Sequence, residues 1–205
     1  MRAFICVGVA TLSVGAAACR SLDTEAQQFR VRWQPKGVLN LTAGDRQKQV
    51  SLSRDIVGCL GELFDSSNGE RLGKGEGSNT VLDVSEEDGH RFVLMSAVAA
   101  PNCNVQGACG AGGPDVTLIW LHVGADLSIL EKQVFAVEDC RAPRWVEGQS
   151  DDWFKRVALK DGVLTLNFTE MVDAGATMSE ASGRVTYDTR AARSGIQVVR
   201  PPQQR

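Results

Sequence analysis

From residue 29 to residue 199 the chain is a succession of short apolar and polar alternations, each closed by residues that favour turns. Residues 29–34 set the pattern. Phe29, Val31 and Trp33 fall on one face of an extended segment and Arg30, Arg32 and Gln34 on the other, until Pro35 ends it. Two further short strands are predicted over 37–42 and 49–52, separated by Gly44 and Asp45. Strand patterns then follow in quick succession over 80–84, 92–98, 116–123, 129–137, 154–159, 163–168, 183–187 and 196–199. Hairpin turns are marked by Asp88-Gly89, Asp161-Gly162 and Gly124-Ala125-Asp126, because aspartate and glycine tolerate the left-handed backbone that tight turns require.

The segment 116–123 is apolar on both faces, Leu118 and Trp120 on one and Ile119 and Leu121 on the other, which places it centrally in a sheet covered on both sides. Helical spacing occurs over 55–64, where Ile56, Leu60 and Leu63 or Phe64 recur at three to four residues; Gly58 and Gly61 weaken it, and a strand around Cys59 is the alternative. Residues 65–78, rich in glycine, serine and charge, are predicted to form a loop or hairpin tip. The expected fold is mainly β: an antiparallel β-sandwich or partly closed barrel with at most one short helix.

The first twenty residues follow another rule. Arg2 precedes an apolar run too short to span a bilayer comfortably, and Gly15, Ala16, Ala17 and Ala18 lead to Cys19, as in an export signal. Ala16-Ala17-Ala18-Cys19 resembles the lipobox of bacterial lipoproteins, although Ala16 stands where that class usually carries leucine. The resemblance implies cleavage before Cys19, a diacylglycerol on its thiol and a lipid anchor. In enteric-type members an aspartate after the cysteine signals inner-membrane retention. Arg20 stands there, so the resemblance implies an outer-membrane anchor with the protein facing the periplasm. Ordinary cleavage, releasing a soluble secreted protein, and an uncleaved anchor are the alternatives. The expected organisation is a signal peptide over 1–18, a polar tether over 19–28, a single β-rich domain over 29–200 and a tail over 201–205.

Composition narrows the partners. The chain of 205 residues carries 22 basic and 25 acidic residues, and removing the leader takes away Arg2 and no acid. Neither sign dominates a long segment, which argues against a nucleic-acid footprint or a polybasic membrane patch. The basic stretch around Arg190, Arg193, Arg200 and Arg205 is expected to be a solvated tail after the last strand, since Pro201 and Pro202 end regular structure. Beyond Cys6 and Cys19, the cysteines are Cys59, Cys103, Cys109 and Cys140. An even number in an exported chain predicts two disulfides, with three possible connectivities. The short loop between Cys103 and Cys109 favours that pair and leaves Cys59 for Cys140. A four-cysteine zinc site fits less well, because no two are separated by the two to four residues such sites use.

Few residues suggest chemistry, and no cofactor or metal is predicted. His90 and His122 are the only histidines. His122 lies in phase with Leu118 and Trp120 and is expected to be a partly buried, hydrogen-bonded residue; His90, after Asp88-Gly89, is expected to be a solvated turn residue. The familiar hydrolase signatures are absent. The stretch 73–78 lacks the spacing and terminal pair of a phosphate loop, and 65–76 places Glu70 where a calcium loop needs glycine. Adjacent acids at Asp151 and Asp152, or Glu138 and Asp139, point to opposite faces of a strand and make no glycosidase couple.

Two stretches fit binding better. A bridged loop from Cys103 to Cys109 offers Asn104 and Gln106 in a preorganised frame, and 141–154 carries Arg141, Arg144, Trp145 and Trp153, residue types that dominate interfaces although both tryptophans could equally cap the core. The expected function is that of an envelope-tethered, disulfide-stabilised binding module for an envelope protein or polymer, such as an inhibitor or protective partner of a periplasmic hydrolase. A hydrolase with a dispersed histidine and acid site, or a structural envelope component, is the alternative.

Overall fold

A computed structural model describes residues 29–34, 37–56, 79–99, 115–139, 142, 144–147, 157–173 and 177–200. Eleven described strands form three antiparallel sheets. The first is β1 (Arg30–Gln34), β2 (Val38–Ala43) and β3 (Arg46–Ser51); the second is β4 (Thr80–Glu87), β5 (His90–Ala99), β6 (Asp115–Val123) and β7 (Ile129–Glu138). The third contains β8 (Arg144–Val146), β9 (Val163–Asp173), β10 (Met178–Asp188) and β11 (Gln197–Val199). Within each sheet every strand pairs with its neighbour in sequence, so each sheet is a meander.

Turn chemistry accounts for the tight corners. Asp88 and Gly89 adopt φ of 51° and 74°, and Asp161 and Gly162 adopt 53° and 79°. Two successive positive φ values are what a two-residue hairpin needs to match the right-handed twist of its strands.

The central sheet is buried on both faces because each is covered by another sheet. Phe92, Leu94, Leu118 and Trp120 pack against Leu164, Leu166, Phe168, Val185 and Tyr187 of the C-terminal sheet. Val93, Met95, Ile119 and Leu121 pack against Trp33, Leu39 and Leu41 of the N-terminal sheet. The two four-stranded sheets form the antiparallel sandwich, with the N-terminal sheet as a third layer. Among the described strands β4 and β11 do not pair, so the sandwich is open and not a closed barrel. Three strands covering four leave the flanks bare: Val84 on β4 and Val134 on β7 are exposed. Arg46 donates to the Ala125 carbonyl at 2.6 Å and Lys132 pairs with Asp55 at 2.7 Å, fastening the N-terminal layer to the central sheet.

The sandwich is joined at one corner. Asp139 and Arg144 exchange backbone hydrogen bonds of 3.2 Å, carrying the chain from β7 into β8, and the buried Glu138 carboxylate accepts from the Val146 amide at 2.9 Å. Inside the corner Phe168 lies over Gly183, where an added Cβ would stand 2.3 Å from the ring. Gly183 is therefore required by close approach.

Several expectations are corrected. Residues 157–159 are not a strand: Val157 is buried and Leu159 partly so, laid onto the core by a bend before the Asp161-Gly162 turn, while 154–156 lie outside the described residues. Asp55 and Ile56 lie in a turn after Leu52, the Ile56 amide reaching the Leu52 carbonyl at 3.2 Å; the rest of the 55–64 segment is outside the described residues. The basic C-terminal stretch is not simply a solvated tail, because Arg200 folds back to pair with Glu170 at 2.6 Å. A buried carboxylate left with one partner draws in a second. After β10 the described chain also turns through a 3-10 segment, Thr189–Ser194, whose Ala192 carbonyl accepts from the Trp120 indole at 2.9 Å.

Candidate functional site

The outer face of the C-terminal sheet is built from the residues that alternate with its core positions. On β9 and β10 Leu166, Phe168, Val185 and Tyr187 point inward, so Asn167, Thr169, Ser182 and Arg184 point out. Pairing places Trp145 opposite Thr169, and Arg184 opposite both Asn167 and Val199. Glu147, Asn167, Ser182, Gly183, Arg184 and Val199 line an open depression of about 480 Å³. Trp145 lies on the same face, 38% exposed, and Val199 is 63% exposed. Both values are high for large apolar side chains on a strand with a packed core behind it.

Hydrogen bonds along the strands preset these side chains. Arg184 Nε donates to Asn167 Oδ1 at 3.0 Å, Thr169 Oγ1 donates to Glu147 Oε1 at 3.4 Å, and the Glu147 amide donates to the Asn167 carbonyl at 2.9 Å. The result is a shallow surface bearing both charges, hydroxyls, an amide and an indole. Its open form leaves these groups accessible from solvent.

Arg144, next to Trp145 in sequence, is turned the other way. Its guanidinium donates twice to Glu170 Oε2, at 2.6 and 3.0 Å, and once to the Ala136 carbonyl at 2.5 Å, and it lies 4.9 Å from the Phe135 ring centre and 5.6 Å from that of Phe168. Arg200 completes the cluster on the other Glu170 oxygen, also above both rings. Burial alone would raise the Glu170 pKa, but hydrogen bonds from Arg200 and Arg144 and their charges outweigh it and hold the carboxyl below its ordinary range. Arg144 thus braces the strand that presents Trp145.

At the end of the sandwich near the 3-10 segment, the structure brings together the two histidines. His122 Nε2 and His90 Nδ1 are 2.9 Å apart, with ring centres at 4.9 Å. His122 is partly buried and hydrogen-bonded, in keeping with its phase. His90 is the first residue of β5 and not merely a solvated turn residue, because its neighbour across the sheet gives it a partner. Glu131 is the cross-strand partner of His122, and Glu87 that of His90. Burial, then the neighbouring His90, and more weakly Arg193 lower the His122 pKa, against an opposing pull from Glu131. Among the described residues no three histidine, cysteine, aspartate or glutamate side chains converge as a ready metal cage.

Tyr187 is a hydrogen-bond donor to Asp83 at 2.6 Å; burial and that carboxylate push its hydroxyl far above the usual range, so it stays protonated. Cys19, Cys59, Cys103, Cys109, Cys140, Asn104, Gln106, Arg141 and Trp153 lie outside the described residues. The sequence reading missed Asn167, Ser182, Arg184 and Val199. For Asn167 and Arg184 the only local signal was polar alternation on 163–168 and 183–187, which marks any solvent-facing strand; Ser182 falls just before the second segment and Val199 is apolar.

No protein-family model, curated protein or solved structure matches the chain. Among the described residues no helix is long and apolar enough to cross a membrane.

Proposed function

We propose that this protein is an envelope-tethered binding module, anchored to the bacterial outer membrane through Cys19 and braced by Cys103–Cys109 and Cys59–Cys140 bridges. It engages another envelope protein or polymer, a periplasmic hydrolase being one such partner. The observation that carries the reading is the outer face of the C-terminal sheet: an open depression with a preset polar floor, flanked by exposed Trp145 and Val199. Tryptophan and arginine at such positions bury much area and hydrogen-bond at its edge, which is why a few of them dominate binding energies. A rigid sheet keeps the ordering cost of association low.

The test is retention of the detergent-solubilised full chain on washed cell-wall sacculi and on solubilised envelope proteins. The double variant Trp145→Ala, Arg184→Glu loses about tenfold or more in affinity, corresponding to about 1.4 kcal/mol or more. A variant at exposed Val134, on the opposite side of the sandwich, binds as the parent does. Equal retention of the double variant and the parent overturns the assignment of this face.

A further inference from the structure

His90 and His122 form a constellation that the binding reading does not use. We propose that they are a solvent-open binding site for a divalent copper ion, His90 Nδ1 and His122 Nε2 supplying two adjacent coordination positions and water the others. Glu131, across the strand pair from His122, is the carboxylate placed to join them by side-chain rotation.

Three features of the site support this. First, the nitrogens are 2.9 Å apart. Two imidazole nitrogens at right angles about an ion, with metal–nitrogen bonds of about 2.0–2.1 Å, stand roughly 2.9 Å apart, whereas tetrahedral ligation spreads them to roughly 3.3 Å. The 2.9 Å separation is that of the hydrogen bond the rings share and already lies within reach of a common ion; among divalent ions Cu²⁺ tops the affinity order for nitrogen ligands. Second, carboxylates border the pair: Glu87 and Glu131 are the cross-strand partners of His90 and His122, and the nearby Arg193 shares its charge with Glu87 at 3.5 Å and Asp88 at 3.8 Å. Third, the pair is held from behind and open in front. The Phe92 ring centre lies 4.9 Å from that of His122 and Trp120 lies at 6.3 Å, while both histidines keep partial solvent exposure.

Both nitrogens that face each other must offer lone pairs to the ion. In the hydrogen-bonded pair one of these nitrogens carries the shared proton; on binding, that proton passes to water and water protonates the same ring on its other nitrogen, leaving His122 protonated on Nδ1 and His90 on Nε2 with both facing lone pairs on Cu²⁺ and no net proton released. No redox step is involved.

The chain contains only these two histidines, so an imidazole signature has one possible origin. The experiment uses the untagged full chain, extracted without reductant and with accessible thiols alkylated, titrated with Cu²⁺ against a weak amino-acid competitor. Continuous-wave and pulsed electron paramagnetic resonance then report the ligands. One equivalent of Cu²⁺ coupled to two imidazoles is expected. His90→Gln and His122→Gln each leave one imidazole and weaken binding by at least the roughly tenfold that even an outer-shell change costs. A thermal scan checks folding: Cu²⁺ raises the melting temperature of the parent and not of the variant carrying both His90→Gln and His122→Gln, because an ion bound only to the folded state stabilises it. Binding without imidazole coupling, binding of equal strength in the double variant, or no binding to the parent overturns the proposal.

Discussion

Replacing Trp120 by alanine lowers the stability of the domain by about 3–5 kcal/mol, the range for deleting a large buried aromatic side chain. Trp120 is fully buried on β6, one of the two inner strands of the central sheet. Its ring lies nearly parallel to that of Phe92, centres 5.9 Å apart at an interplanar angle of 10°, and its indole nitrogen is bonded to the Ala192 carbonyl. The substitution opens a cavity between two rigid sheets and takes away the donor that pins the 3-10 segment. Trp120→Phe keeps most of the volume and loses the donor, so its cost falls nearer the 1–3 kcal/mol of an unsatisfied polar group together with a small void. The check is the urea midpoint with an unchanged slope, which separates lost stability from a changed unfolded state. Equal midpoints for the parent and the alanine variant would remove Trp120 from the core.

Substituting Glu170 by alanine is the second large effect, about 2–4 kcal/mol. Breaking a fully buried ion pair costs about 3–5 kcal/mol. The discount reflects Arg200, whose side chain is 48% exposed and can return to water, whereas Arg144, at 15%, loses its carboxylate and keeps only the Ala136 carbonyl. Loss of the carboxylate also frees β8, the short strand that carries Trp145, so binding by the outer face falls with stability.

The same carboxylate sets an acid limit. Its pKa is lower folded than unfolded, so its stabilising contribution is complete above the ordinary glutamate value of about 4.3 and is lost as pH falls through the folded value. Between about pH 5 and pH 2 the parent therefore loses stability more steeply than Glu170→Gln, by less than about 1.4 kcal/mol per pH unit, the most that one proton can supply. Denaturant titrations of both proteins across that range measure the difference, and parallel curves would show that Glu170 does not carry it.

What could be read along the chain was what local chemistry specifies. The Asp88-Gly89 and Asp161-Gly162 hairpins and the alternation on β1 and β9 were legible because the responsible residues are adjacent. The two apolar faces of 116–123 required cover on both sides. They did not say that the second cover is the sheet of Leu39 and Leu41, since any apolar layer would satisfy them. Strand β8 was invisible: three residues after Pro143 make no pattern, and its register comes from Glu138, Glu170 and the Ala136 carbonyl. The Arg144–Glu170–Arg200 cluster joins positions 26 and 30 residues apart with no periodic signal. The His90–His122 contact depends on the register between β5 and β6, which no short turn fixes. Polar sites of this kind arise where sheet ends and corners meet, and tertiary register places them.

The binding role of the outer face is tested most directly in living cells by placing a photo-crosslinking amino acid at position 145 or 199, with position 134 as the comparison. A defined adduct is expected from 145 and from 199, either a discrete protein band or material released by wall digestion, and none from 134. Adducts from 134 with none from 145 or 199 would contradict it and place the working surface on the flank that the N-terminal sheet leaves uncovered.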